Sequence, residues 1–240
     1  MALSTENKVK LLKNTGFFEG NDGYSNLAGN FDKQGISFGI IQFNFGQGTL
    51  EPLLKQYIKE NNTEFVNIFG STKAAELTKV VNEYTEAQQI AWSTGISTGD
   101  DNQFVVDSWA KPFRKMGESS KNRDLQKVHA KQYFDRAEGW AHDFDIKSMQ
   151  GLAFLFDQAV HEWSFTSFSK AKDEVLEKAR AYKNANGEIM PDRDRLSILL
   201  DYVRSNDGKE RRTCIMNGSG THNGKQYDVD DFGISYSIRH

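Results

Sequence analysis

Apolar residues recur at helical spacing along most of the chain. Residues 5–14 place Val9 and Leu12 on one face, with Ser4 or Thr5 as the cap and Gly16 as a natural stop. From Thr49 onward the same period predicts helices over 49–61, 72–94, 103–118, 120–142, 146–163, 167–184 and 192–205. Leu152, Phe154, Leu155, Phe156, Ala159 and Val160 make the 146–163 segment apolar nearly all round, which predicts a central buried helix. Residues 20–45 break the pattern. Gly20, Asn21, Asp22, Gly23, Asn26, Gly29, Asn30, Asp32 and Gly35 supply turn chemistry, and Ile36 to Phe43 has strand-type residues. The tail, 208–236, is rich in Gly, Asn and Asp and poorly periodic. The pattern predicts an α+β chain, predominantly α-helical, with a small β wing in its N-terminal third and one domain over 1–240.

Composition narrows the function classes. The 30 Lys and Arg are outnumbered by 33 Asp and Glu, giving a net charge of −3. That leaves no basic excess to neutralise phosphates, so nucleic acid is not an expected partner. Seventeen Phe and four Trp suffice for a real core. No apolar run approaches the roughly 18 residues of a membrane span. A single cysteine, Cys214, excludes an internal disulfide and a cysteine-based zinc site, and the five His form no H-E-x-x-H pair. Residues 1–8 lack the basic and apolar regions of a secretory signal. The expectation is therefore a chain that is cytoplasmic, that leaves the cell by non-classical export, secretion-system delivery or phage lysis, or that is cut from a larger polypeptide.

The residues richest in chemistry lie around the wing. Glu19 stands between Phe17-Phe18 and Gly20, just past the first predicted helix. An apolar neighbourhood raises a carboxyl pKa, as a general acid at neutral pH requires. Asp32 lies in the Gly/Asn-rich wing, where hydrogen bonding and solvent favour the carboxylate. Two carboxyl groups in contrasting environments suit glycosidic bond cleavage. Tyr24, Phe43 and Trp163 are aromatic residues that can stack on sugars or fill a core. Asp157, inside the apolar helix, is expected to pair with Arg211 or Arg212. Cys214 reads as structural, and Asp228, Asp230 and Asp231 as a solvated turn.

The run Asp32-Lys33-Gln34-Gly35-Ile36-Ser37-Phe38-Gly39-Ile40-Ile41 closely resembles the active-site segment of the family 46 chitosanases, of the lysozyme-like superfamily. Phe43, Gly46, Gly48, Leu50 and Leu54 continue that likeness. A second block, Gln132 to Asp135, Ala141 and Gly151 to His161, resembles the family's central helices. The resemblance implies a lysozyme-like fold: two helical lobes with a small β wing lining the active-site cleft. It also implies an inverting glycoside hydrolase with Glu19 as general acid, Asp32 as general base and Ser37 helping to hold the attacking water. His161 takes a cleft-lining position, and no metal or organic cofactor is required.

Three departures shift the substrate expected. The loop between acid and base is shorter than in those chitosanases. Gln34 stands where they carry Arg, and Thr49 where an acidic residue commonly grips the cationic chain. Gly39-Ile40-Ile41-Gln42 also resembles a segment of goose-type lysozymes and lytic transglycosylases, in which Gln42 would contact an N-acetyl group. The expected partner is a polysaccharide, peptidoglycan in preference to chitosan, bound by Tyr24, Gln34, Gln42, Thr49 and His161. The alternatives are a true chitosanase and a non-catalytic wall-binding module. If the chain is a secreted effector, an immunity protein is a further expected partner.

Overall fold

The computed structural model describes residues 3–20 and 23–234; Asn21 and Asp22 of the wing and positions 235–236 of the tail lie outside them. The chain forms two compact units. The central unit comprises residues 19–130, and the terminal unit joins 1–18 to 131–240.

In the terminal unit α1 (Thr5–Glu19) is followed, after the central segment, by α8 (Lys131–Asp143), α9 (Met149–Glu162), α10 (Phe168–Asn186), α11 (Asp192–Leu200) and α12 (Asn206–Asn217). A hairpin of β6 (Ser219–His222) and β7 (Lys225–Asp228) closes it. The helix α9 is the central one the sequence predicts: every residue from Met149 to Val160 is buried. It packs against α8 and α12, with Phe134 stacked on Phe156 at 4.5 Å. Ser148 caps α9 by accepting the Gly151 N–H at 3.0 Å.

The central unit holds α2 (Leu50–Glu60), α3 (Asn62–Phe69), α4 (Ser71–Glu83), α5 (Glu86–Gly95), α6 (Asp107–Glu118) and α7 (Ser120–His129). Its wing is a three-stranded antiparallel sheet in the order β1 (Leu27–Ala28), β2 (Ser37–Phe38), β3 (Phe43–Asn44), and β4 (Ser97–Thr98) pairs with β5 (Phe104–Val105). Ser37 sits opposite Ala28 and Asn44. Aromatic contacts run through the core: Phe65 to Phe69 at 4.9 Å, Phe69 to Phe113 at 5.2 Å and Phe113 to Phe38 at 5.6 Å. The last of these fixes the wing to the helices.

Several boundaries differ from the sequence reading. Gly16 does not stop α1; it is buried within it, and the helix runs on to Glu19. The predicted 72–94 helix breaks at Tyr84–Thr85. There Thr85 and Gln88 form a capping box, with Gln88 Oε1 accepting the Thr85 N–H at 2.9 Å. The predicted 120–142 helix divides at Ala130. The strand expected over 36–43 is a tight hairpin, because Gly39 (φ 87°) and Gln42 (φ 54°) turn the chain between β2 and β3. The supposedly irregular tail contains α12 and a hairpin whose turn is Asn223-Gly224. No helix of the described residues is long and apolar enough to cross a membrane.

Candidate active site

Glu19 is the last residue of α1 and is half-buried. Its helix is pinned just before it: Phe17 and Phe18 pack edge-on at 5.2 Å, and both meet Tyr227, at 5.7 and 5.2 Å. The Tyr227 hydroxyl donates to Asn14 Oδ1 at 2.7 Å. The apolar pair the sequence offers as Glu19's surroundings is therefore the seat of the β6–β7 hairpin. Directly after Glu19 the chain enters the wing. A Cβ on Gly20 would lie 2.7 Å from Asn26 Oδ1, so only glycine permits this approach. The Asn26 backbone carbonyl in turn accepts the Gly39 N–H at 2.8 Å, which ties this segment to the β2–β3 turn.

Asp32 lies exposed at the tip of the loop between β1 and β2. Its Oδ1 accepts the Gln34 N–H at 3.0 Å, an Asx turn that orients the carboxylate. Lys33 (φ 64°) takes the left-handed conformation that reverses the chain there. The buried Asn30 holds the loop from below. Its Oδ1 accepts the Gly35 N–H at 2.7 Å, its Nδ2 donates to Thr94 Oγ1 at 2.7 Å, and its N–H donates to Ser97 Oγ at 3.0 Å. Ser37 is buried on β2.

The other residues expected at the site fall into distinct settings. Gln34 packs over Gly46 and accepts its N–H at 2.8 Å. Gln42 donates from its side chain to Gly39 O at 3.1 Å, within the hairpin turn. The Thr49 hydroxyl accepts the Asn44 N–H at 2.9 Å and donates to Asn44 O at 3.2 Å, clasping the 44–49 loop. The half-buried Tyr24 ring has the Arg123 guanidinium at 5.8 Å and the Lys127 ammonium at 6.0 Å. Burial pushes its hydroxyl pKa up, and the two cations offset part of that rise. Lys127 also pairs with Asp124 at 2.9 Å.

Glu19, Tyr24, Asp32, Gln34, Ser37, Gln42 and Thr49 share the central unit, whereas His161 belongs to the terminal one. His161 faces a charge cluster around the fully buried Asp157. Arg211 Nη2 lies 2.9 Å and His161 Nε2 3.4 Å from Asp157 Oδ1, Arg212 Nη2 is 3.4 Å from Oδ2, and Arg211 also meets His161. Burial alone would raise the Asp157 pKa, but the Arg211, His161 and Arg212 charges hold it well below the carboxylate range. Both arginines named from sequence thus pair with it. Glu162 extends the cluster through Arg212 at 3.4 Å and accepts the Arg204 N–H at 2.8 Å.

Three positioning residues escape a sequence reading: Asn26, Asn30 and Gln126. Gln126 is completely buried, donates to Tyr24 O at 3.0 Å and accepts the Ile40 N–H at 2.9 Å, joining the two ends of the wing. A Cβ on Gly39 would lie 2.4 Å from its Oε1.

No protein-family model matches the sequence, and no curated protein is significantly similar to it. Solved structures are similar in fold. A native chitosanase from Bacillus subtilis MY002 superposes with a TM-score of 0.60 at 15% identity, covering 90% of this chain and 89% of that one. A family 46 chitosanase from Gynuella sunshinyii, complexed with chitotetraose, gives a TM-score of 0.58 at 11% identity over 94% and 98% of the two chains. A mutant of the Bacillus enzyme, complexed with 6 GlcN, gives 0.59 at 14% identity. The chain has the predominantly helical α+β fold of these chitosanases, as the sequence resemblance implies.

Proposed function

We propose that this chain is a glycoside hydrolase that cuts β-1,4 bonds of an amino-sugar polymer by an inverting acid/base mechanism, with peptidoglycan its preferred substrate. The observation that carries the reading is the Asp32 loop: an exposed carboxylate, oriented by its own Asx turn and braced by the buried Asn30. The fold shared with chitosanases supports it. Glu19, at the end of a pinned helix, protonates the glycosidic oxygen as the bond to the anomeric carbon breaks. Asp32 removes a proton from the water that attacks the opposite face, and Ser37 helps to hold that water. The mechanism needs about 6.5–9.5 Å between the carboxyl groups to admit the water.

The preference for peptidoglycan rests on charge. Arg123 and Lys127 beside Tyr24 suit carboxylate-bearing stem peptides and oppose a polycation. Chitosan is the second reading, favoured by the glucosamine and chitotetraose complexes of the proteins similar in fold.

Mass spectrometry of products from purified peptidoglycan and from chitosan, with Glu19→Gln as control, tests the proposal. Muropeptides with a hydrated reducing-end MurNAc are expected. Anhydro ends would indicate a lytic transglycosylase and remove Asp32 from the base role. Glucosamine oligomers alone would restore the chitosanase reading. No product from either polymer would leave a glycan-binding module.

A further inference from the structure

Trp163 is an unusual residue to find at the end of a helix. It follows α9 in the left-handed conformation (φ 58°, ψ −20°), the position that glycine takes by default. A large aromatic side chain is disfavoured there, and burial does not compensate, because Trp163 stays 44% exposed. Its indole is nonetheless held in place. The Arg136 guanidinium carbon lies 3.6 Å from the ring centroid, against one face, and Arg136 Nη1 donates to the Trp163 carbonyl at 2.8 Å. Tyr133 meets the ring at right angles, with centroids 5.6 Å apart. On its far side the guanidinium lies 5.7 Å from the Trp140 ring. The indole is thus backed by a cation and braced by a tyrosine at right angles, while 44% of the residue stays open to solvent. The other three tryptophans are engaged elsewhere: Trp92 and Trp109 in the central core, and Trp140 against Phe165.

A rigid, half-exposed aromatic plane is what the C–H face of a pyranose ring requires, since it offers apolar area at little cost in side-chain entropy. Two residues upstream stands His161, the one substrate-binding candidate of the terminal unit. We infer that Trp163, backed by Arg136, is a sugar-stacking platform of the terminal unit that binds a pyranose residue of the amino-sugar polymer. The inference rests on the glycosidase reading and adds a subsite to it.

The test uses the full chain carrying Glu19→Gln, so that bound oligomer is not consumed. Calorimetry and tryptophan fluorescence follow titration with a glucosamine hexamer and, separately, with a GlcNAc–MurNAc tetrasaccharide. Trp163→Ala is expected to weaken binding about tenfold, while Trp163→Phe, which keeps an aromatic face, stays within about threefold of the parent. The oligomer-induced emission change should vanish in Trp163→Phe even though binding persists. That readout decides the matter if Trp163→Ala fails to fold, as checked by circular dichroism. Parent-like affinity in a folded Trp163→Ala variant, or an unchanged emission response in Trp163→Phe, would overturn the platform and leave the glycosidase reading intact. No binding of either oligomer to the parent, with no products from the wild type, would overturn both.

Discussion

The carboxamide oxygen of Asn30 accepts the Gly35 N–H at 2.7 Å, and this bond closes the loop that carries Asp32. Asn30 touches no reacting atom in the proposed mechanism, yet it sets the height and direction of the base. Asn30→Ala should lower kcat by about 10–100-fold with little change in KM, because small displacements of a catalytic group are costly. The loss of stability should be only about 1–3 kcal/mol, the cost of leaving buried partners unsatisfied. Asn30→Asp keeps the acceptor for Gly35 and should restore part of kcat. A parallel loss of kcat and folded fraction would instead make Asn30 purely structural.

In the proposed mechanism Glu19→Gln and Asp32→Asn each remove one proton-transfer group while keeping its shape. Each should reduce turnover by about 10²–10⁴-fold without altering the circular dichroism spectrum. Time-resolved NMR of the wild-type reaction should show the inverted anomer first. Initial retention would exclude Asp32 as base to a water and point to a covalent intermediate.

The Asp157 cluster carries the clearest pH dependence. Its folded-state pKa lies below the ordinary 3.8, so the stabilisation is fully present above that value. It is lost as pH falls below 3.8 toward the folded-state pKa, where the carboxylate takes up a proton in the folded state too. Wild type should therefore lose stability steeply at acid pH, and Asp157→Asn should show a shallower slope. At neutral pH the variant should be about 3–5 kcal/mol less stable, since the buried Arg211 and Arg212 lose the Asp157 counter-charge and Arg212 retains only Glu162 of the two carboxylates. Urea denaturation between pH 2 and 7 measures both.

Charge beside Tyr24 should steer substrate choice. Reversing Arg123 and Lys127 to Glu should depress activity on peptidoglycan and raise the ratio of chitosan to peptidoglycan cleavage by about tenfold. The wild-type rate on peptidoglycan should fall as salt rises from about 0.05 to 0.3 M, because exposed cations are screened over that range. A salt-insensitive rate would separate these cations from the substrate.

What sequence made legible was local. The buried helix α9 announces itself by an uninterrupted apolar run, and the Asp32 loop by turn residues within six positions of one another. The helix α12 does not, because Arg211 and Arg212 share its inward face with Cys214, Ile215 and Met216; paired with Asp157 and Glu162, the two arginines interrupt the apolar period. The break before α5 was readable in Thr85-Glu86-Ala87-Gln88, a capping-box pattern, and the terminal hairpin in Asn223-Gly224. Asn30 was readable only as a turn residue, and the bracing roles of Asn30 and Gln126 were not readable. Their partners Thr94 and Tyr24 lie 64 and 102 positions away, and only the folded chain brings them within bonding distance.

The terminal unit is assembled from both ends of the chain, and Tyr227 reaches Asn14 across 213 positions. The consequence is one of timing. During synthesis residues 19–130 are complete while α1 still lacks the hairpin that covers Phe17 and Phe18. Two aromatic rings then stay exposed to solvent until the last strands emerge, the interval in which a multi-unit chain is most prone to association. The helix that ends in Glu19 is thus among the last elements to be locked.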